Sequence, residues 1–184
     1  MSRTIYLTAT TLDGFLADPD DSLEWLFVCD AGDFEGDHAR FMEGVGAIVM
    51  GATTYEWGVE HEEGRWGYTQ PCWVMTHRQL PTVDGDVRFA AADDDDALTA
   101  LHDEMVAAAG GKDVWVVGGG ELAARLAEVG RLDEIEVSIA PVTLGAGKPL
   151  LPRHVELTTL SIERHHDFAA IRYRVGRERS DADA

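Results

Sequence analysis

Three short segments combine glycine, hydroxyl or basic residues, and each continues an apolar run: VMGATT, VMTHR and VVGGGEL. The residues concerned are Gly51, Ala52, Thr53, Thr54, Thr76, His77, Arg78, Gly118, Gly119, Gly120, Glu121 and Leu122. Backbone N–H groups at a helix start, threonine hydroxyls and a guanidinium group all favour phosphate. The combination indicates a dinucleotide with one additional phosphate, NADPH. The glycines alone are more often an ordinary strand-to-helix turn.

Strand and helix patterns alternate along the chain and position these segments. Strands are predicted over 4–10, 45–50, 71–76, 86–91, 113–118 and 133–142, with helices over 33–44, from 53, over 98–110 and over 121–130. Residues 155–176 are predicted to form two closing strands, and 11–26 and 144–152 are predicted to be connecting loops. This order predicts an α/β fold, a mostly parallel central sheet flanked by helices, with an antiparallel C-terminal strand pair. Ligands of such sheets bind beyond the carboxyl ends of the strands, where the three segments lie.

Composition limits the classes of function that the chain can have. Its 184 residues suit one domain, predicted over 1–176 with a polar tail over 177–184. The net charge of −19 disfavours nucleic acid and anionic membrane surfaces as partners. Without an apolar run of membrane-spanning length or a signal-peptide pattern, the expected location is the cytoplasm. The acidic run Asp93–Asp96 is predicted to cap a helix, and no metal site is expected.

Five segments occurring in a fixed order carry a family resemblance: TATTLDGFLAD, IVMGATTYEW, VMTHR, WVVGGGELAARL and LDEIEVSIAPVTLGAGKPLL. Over nearly its whole length the chain resembles the dihydrofolate reductase-like superfamily. Within that superfamily it is most similar to the reductase (C-terminal) domain of the bifunctional riboflavin-biosynthesis deaminase/reductase. The zinc deaminase signature of the partner domain is absent from the sequence.

The resemblance implies roles for the segments. Gly118 to Gly120 would form the pyrophosphate loop, with a cis Gly118–Gly119 peptide bond, and Gly51 to Thr54 would hold the phosphates from the opposite side. Thr76 to Arg78 would meet the adenosine 2′-phosphate, while backbone groups of Ala9 and Leu16 would line the nicotinamide pocket. A homodimer is also implied.

One residue departs from the family pattern. Ala52 stands where an arginine is common after the glycine of this motif. The substitution removes a cation that would bind phosphate. It leaves open whether cofactor affinity or the preference for NADPH is reduced, or whether His77 and Arg78 compensate.

Two carboxylates and two indoles are the candidates for the reacting side of the site. Asp13 matches a position common in the riboflavin-pathway reductases, although an aspartate before Gly14 is also typical of a turn. Glu56 is the second acid candidate; a water could supply the proton instead. Trp25 and Trp57 could stack on a flat substrate or fill the core.

The predicted activity is that of an NADPH-dependent oxidoreductase. It would transfer hydride to a planar nitrogen heterocycle, dihydropterin-like or pyrimidinone-like. The alternative is a non-catalytic nucleotide- or flavin-binding module on the same fold.

Overall fold

The computed structural model describes residues 2–61 and 66–176, so the predicted polar tail lies outside the described residues. The strands are β1 (Thr4–Thr11), β2 (Phe15–Ala17), β3 (Val45–Gly51), β4 (Cys72–Met75), β5 (Val87–Ala90), β6 (Asp113–Gly118), β7 (Glu134–Ala140), β8 (Lys148–Pro149), β9 (Leu157–His165) and β10 (Phe168–Val175). The helices are α1 (Glu24–Phe27), α2 (Phe34–Glu43), α3 (Ala52–His61), α4 (Asp95–Ala108) and α5 (Gly120–Glu128). Each of these helices is too short or too polar to cross a membrane.

One eight-stranded sheet, in the order β5-β4-β3-β6-β1-β7-β10-β9, organises the chain. The strands from β5 to β7 are parallel, whereas β10 pairs antiparallel with both β7 and β9. The predicted mostly parallel sheet with an antiparallel C-terminal pair is therefore confirmed. Parallel strands end on the same side of a sheet, so the C-terminal ends of β1, β3, β4 and β6 lie together. We call this side the carboxyl edge, and the side at which these strands begin the amino edge.

Two apolar clusters cover the two faces of the sheet. Val49 and Val116 belong to the cluster that contains Leu98 of α4 and Leu126 of α5. Neighbouring positions of β3 point the other way, and Met50 packs in the cluster of Tyr55 from α3. Burial on both faces explains why β3 and β6 are continuous apolar runs in the sequence.

The helix boundaries follow predicted caps. Asp94 is the N-cap of α4, and its carboxylate accepts a hydrogen bond of 2.8 Å from the Ala97 amide. This confirms the capping role predicted for the acidic run. Gly130 has a φ of +68° just after α5, the left-handed conformation that is typical of a glycine following the end of a helix.

The two predicted loops contain regular structure that the sequence patterns miss. β2 lies within 11–26, α1 begins there at Glu24 and ends at Phe27, and β8 lies within 144–152. β2 and β8 pair antiparallel as a separate two-stranded sheet, extended by a bond of 2.9 Å from the Leu150 amide to the Gly14 carbonyl. Strands of three and two residues are too short to carry periodicity, and their pairing joins distant parts of the chain.

The expected cis bond between Gly118 and Gly119 is wrong for this structure, because every peptide bond among the described residues is trans. The chain turns from β6 into α5 at Gly119, whose φ is +92°. Glycine adopts this value without steric cost, and the turn is therefore made with an ordinary peptide bond.

Candidate functional site

The predicted cofactor segments meet at the carboxyl edge. β4, β3, β6 and β1 are neighbours in that order. Met50 pairs with Gly118, and Gly51 pairs with Met75, so the ends of β3, β4 and β6 are in register. The segments after these strands, predicted from separate parts of the sequence, therefore lie side by side.

Gly118 and Gly120 are sites where the structure leaves no room for a side chain. A Cβ on Gly118 would lie 2.8 Å from the Thr54 hydroxyl oxygen of α3. A Cβ on Gly120 would lie 2.3 Å from the Pro149 carbonyl oxygen and 2.4 Å from that of Leu150. Gly118–Gly120 is thus a strip of backbone without side chains, between the start of α3 and the segment that contains β8. Gly120 packs closely against the backbone of Pro149 and Leu150.

Two helices begin at this strip. α3 starts at Ala52, directly after β3, and α5 starts at Gly120, directly after Gly119. The Ala123 amide is bonded to the Gly119 carbonyl at 3.1 Å, so the amides of residues 120–122 precede the hydrogen-bonded turns of α5. These amides and the positive ends of two helix dipoles favour an anion. Thr53 is exposed and Thr54 half-buried beside them, whereas Ala52 adds no charge.

The cations after β4 are paired with carboxylates. The guanidinium of Arg78 bonds both oxygens of Glu56, with distances of 3.2 and 2.7 Å. The Arg78 amide donates to the Thr76 hydroxyl at 2.9 Å, and the His77 ring lies 3.0 Å from an Asp93 oxygen. Both ion pairs are largely exposed. Glu56, predicted as a candidate acid, is therefore paired with Arg78, which is predicted to bind a phosphate.

Asp13 is fastened to two backbone segments. Its carboxylate accepts hydrogen bonds from the buried Thr11 hydroxyl at 2.5 Å, the Leu144 amide at 3.1 Å and the Gly145 amide at 2.7 Å. The Thr11 bond, followed by the Gly145 bond, holds the pKa of Asp13 below its ordinary value. The carboxylate thus ties the turn after β1 to the loop after β7.

The predicted nicotinamide residues lie near a buried indole. Trp25 is 8% exposed and packs with Ala140 and Phe168, with Ala9 partly buried against the same cluster. Its Nε1 donates to the Leu16 carbonyl at 3.2 Å. The structure places Trp25 in the core, where it fixes the backbone of the segment that contains β2 relative to α1.

A second aromatic group joins two helices. Within α3, Trp57 stacks on the His61 ring with centroids 3.8 Å apart. Trp57 stacks on Phe27 with ring centroids 6.5 Å apart and planes at 11°, which links α3 to α1. Phe27, Val28 and Leu12 are 67%, 80% and 68% exposed. The sequence patterns do not single out these three residues. The apolar run WLFV contains Phe27 and Val28 and is the signal by which those two could have been found.

Comparisons with known proteins give the family. The model of the RibD C-terminal domain matches residues 3–169. The chain belongs to this family. The match spans strands β1 to β9 and every segment of the candidate site.

Relatives and solved structures agree with the assignment. The chain is 28% identical to the uncharacterized protein YwjB of Bacillus subtilis over 169 residues, 90% of this chain and 92% of that protein. A protein from Shewanella sp. PV-4, by its name in riboflavin biosynthesis, superposes with a TM-score of 0.76 at 23% identity, over 95% of this chain and 99% of that one. Dihydrofolate reductase of Enterococcus faecalis, complexed with NADP(H), superposes with a TM-score of 0.55 at 13% identity, over 95% and 97%. The fold is therefore dihydrofolate reductase-like.

Proposed function

We propose that this RibD C-terminal domain protein is an NADPH-dependent reductase that transfers hydride to a planar nitrogen heterocycle, dihydropterin-like or pyrimidinone-like. The observation that carries the proposal is the backbone strip Gly118–Gly120 at the carboxyl edge, with two helix starts beside it. A reductase family and a reductase-type fold support the same conclusion.

The residues present fit a nicotinamide dinucleotide. The amides at the start of α5 and the hydroxyls of Thr53 and Thr54 would hold the pyrophosphate, and Thr76 to Arg78 would meet a further phosphate. Ala9 and Leu16 would border the nicotinamide through their backbone groups. When bound, the cofactor supplies the hydride.

The substrate would lie against exposed apolar side chains that follow α1 and β1. Phe27 and Val28 are consecutive at the end of α1, with Trp57 stacked on Phe27, and Leu12 comes directly after β1. Packing of a planar ring against them removes water from the reacting atoms, which favours hydride transfer over side reactions. Trp25 contributes by holding Leu16 in place.

The proton is best supplied by water. Asp13 is engaged by three donors and has a lowered pKa, so it remains ionised and does not offer a proton near neutral pH. Glu56 is engaged by Arg78. Asp13 therefore acts as a positioning residue in the proposal, and neither carboxylate is needed as the acid.

Calorimetric titration with NADPH and NADH tests the cofactor, and the absorbance of the reduced nicotinamide during incubation with dihydropterin and pyrimidinone substrates tests the reaction. We expect saturable binding and oxidation of the cofactor that depends on substrate. No binding at millimolar cofactor would refute the proposal. Binding without oxidation by any substrate of these classes would favour the second candidate, a non-catalytic nucleotide- or flavin-binding module, which Ala52 and the two engaged carboxylates motivate.

A homodimer in the cytoplasm is the expected state of the protein. The edge strand β9 leaves Leu160 and Ile162 exposed by 43% and 69%, and a second copy could cover these side chains. Light scattering coupled to gel filtration measures the mass directly. A monomeric mass at micromolar concentration would oppose this part of the proposal.

A further inference from the structure

We infer that Glu56 is a specificity-determining residue. Its carboxylate disfavours binding of a phosphate group at Arg78 and so reduces the preference for NADPH over NADH. The inference rests on the proposed function, because it concerns the adenosine end of the same cofactor site. It adds a role for a carboxylate that is not required by the proposed reaction.

The geometry of the Glu56–Arg78 pair is the first argument. Two guanidinium nitrogens face two carboxylate oxygens, at 3.2 and 2.7 Å. This fork-to-fork arrangement is also the one that arginine uses to bind phosphate. A 2′-phosphate must therefore displace Glu56 from the guanidinium or share the guanidinium with it.

The charge around the pair is the second argument. His77, the other basic residue of this segment, faces Asp93 at 3.0 Å, and the acidic start of α4 follows Asp93 in the chain. Ala52 contributes no positive charge on the α3 side. A dianionic phosphate placed at Arg78 would meet Glu56 within a few ångströms, and like charges at such distances repel appreciably even in water.

The ribose of NADH does not meet this repulsion. Its free 2′-hydroxyl can donate a hydrogen bond to a carboxylate, as the ribose hydroxyl does to acidic residues in other dinucleotide sites. Glu56 thus repels the 2′-phosphate of NADPH and accepts a hydrogen bond from the 2′-hydroxyl of NADH. The expected consequence is a smaller preference for NADPH over NADH than Arg78 alone would give.

The pair is suitable for substitution because it contributes little to folding. The side chains of Arg78 and Glu56 are 56% and 42% exposed, and exposed ion pairs contribute little to stability. Glu60 lies on α3 one turn after Glu56 and is exposed. Glu60→Gln therefore changes the net charge by the same amount on the same helix and serves as the matched control.

Calorimetric dissociation constants for NADPH and NADH, measured on the wild type, Glu56→Gln and Glu60→Gln, test the inference. We expect Glu56→Gln to tighten NADPH binding by about fivefold or more, to leave NADH binding within about twofold, and to exceed the effect of Glu60→Gln. An unchanged ratio of the two constants, or an equal effect of Glu60→Gln, overturns the role of Glu56. Failure of both cofactors to bind overturns the proposed function as well, so the two failures are distinguishable.

A double-mutant cycle locates the effect. In an Arg78→Gln background, Glu56→Gln should no longer favour NADPH, because the cation that receives the phosphate is gone. A preference for NADPH that still rises by the same factor in that background overturns the inference. It would mean that Glu56 acts through the general negative field and not through Arg78.

Discussion

The amino and carboxyl edges of the parallel sheet carry the same kinds of polar residue, but the bonding differs. At the amino edge, the Thr4 amide donates to Asp133 at 2.7 Å, and the Thr4 hydroxyl lies 2.7 Å from Nε2 of buried His102. Arg3 bridges Asp113 and Glu134 there. These bonds tie the starts of neighbouring strands and helix α4 to one another.

At the carboxyl edge, the predicted cofactor segments carry exposed polar groups or bare backbone. The Gly118–Gly120 strip carries no side chain, and the pair of Glu56 and Arg78 is exposed. The two edges differ in the bonding and exposure of their polar groups and not in residue type. Residue type alone therefore does not distinguish a polar group that stabilises the fold from one that could bind a ligand. Substitutions at the amino edge should change stability with cofactor affinity intact, whereas substitutions at the carboxyl edge should change affinity.

Gly120→Ala should have the largest effect, because it tests the close packing of the backbone strip. The added Cβ would lie within 2.4 Å of two backbone carbonyl oxygens, which cannot rotate away. We expect a loss of unfolding free energy of about 1–3 kcal/mol, measured by chemical denaturation. Weaker NADPH binding should follow, since α5 must shift.

Gly58→Ala is the matched control for this substitution. Gly58 is within α3, and a Cβ there would meet no atom within 4 Å. Alanine is the better helix former, so this variant should be neutral or more stable by up to about 1 kcal/mol. If Gly120→Ala lowered the free energy of unfolding no more than Gly58→Ala does, the close packing of the glycine strip would be contradicted and the strip would be an ordinary turn.

His102→Leu should have the next largest effect and tests the amino edge. His102 is 5% exposed, and burial lowers its pKa, with a further contribution from Arg131. The folded state therefore favours the neutral ring, so stability falls as the pH drops below the unfolded value of about 6.5. At pH 7.5 the variant should lose about 1–3 kcal/mol, because the Thr4 hydroxyl loses its partner.

Below pH 6.5 the wild type and His102→Leu should converge, since the variant lacks the group that titrates. His154→Leu, at a position where the side chain is 87% exposed, is the control and should leave the pH dependence unchanged. Cofactor affinity should be unaffected in both variants. A stability difference between wild type and His102→Leu that stays constant from pH 7.5 to 5 would contradict the prediction.

The sequence predicts the fold well where a signal is local. The continuous apolar runs of β3 and β6 and the capping aspartate of α4 are correctly predicted, because burial on both faces and N-capping need only neighbouring residues. The position of the glycine strip after β6 follows for the same reason. The family resemblance adds the order of the segments, but it misleads about the peptide bond before Gly119.

Contacts between distant residues could not be predicted. Glu56 and Arg78 are 22 positions apart, and Asp13 and Gly145 are 132 positions apart. The sequence presents both carboxylates as candidate acids, and the partner of each is known only when strands and loops are placed. The exposed Phe27 was missed because a four-residue helix shows no periodicity.

Asp13→Asn should have the smallest effect and sharpens the comparison, because Asp13 lies at the carboxyl edge yet is bonded like the residues of the amino edge. The amide would keep one acceptor and turn an NH₂ group toward the donors of Thr11 or the 144–145 backbone. The melting temperature should fall by a few degrees near neutral pH, where the lowered pKa keeps the wild-type carboxylate ionised and stabilising. The difference should shrink as the pH falls through that lowered pKa.

The value of kcat and its pH dependence show whether Asp13 only positions the loop or donates the proton. If Asp13 only holds the loop, Asp13→Asn lowers kcat modestly and leaves the shape of its pH profile unchanged, as does the control Asp20→Asn in the neighbouring exposed loop. If Asp13 donates the proton, the variant loses most of its kcat and one limb of the profile disappears. Because three donors already bind the carboxylate, we expect the first result, with the proton coming from water.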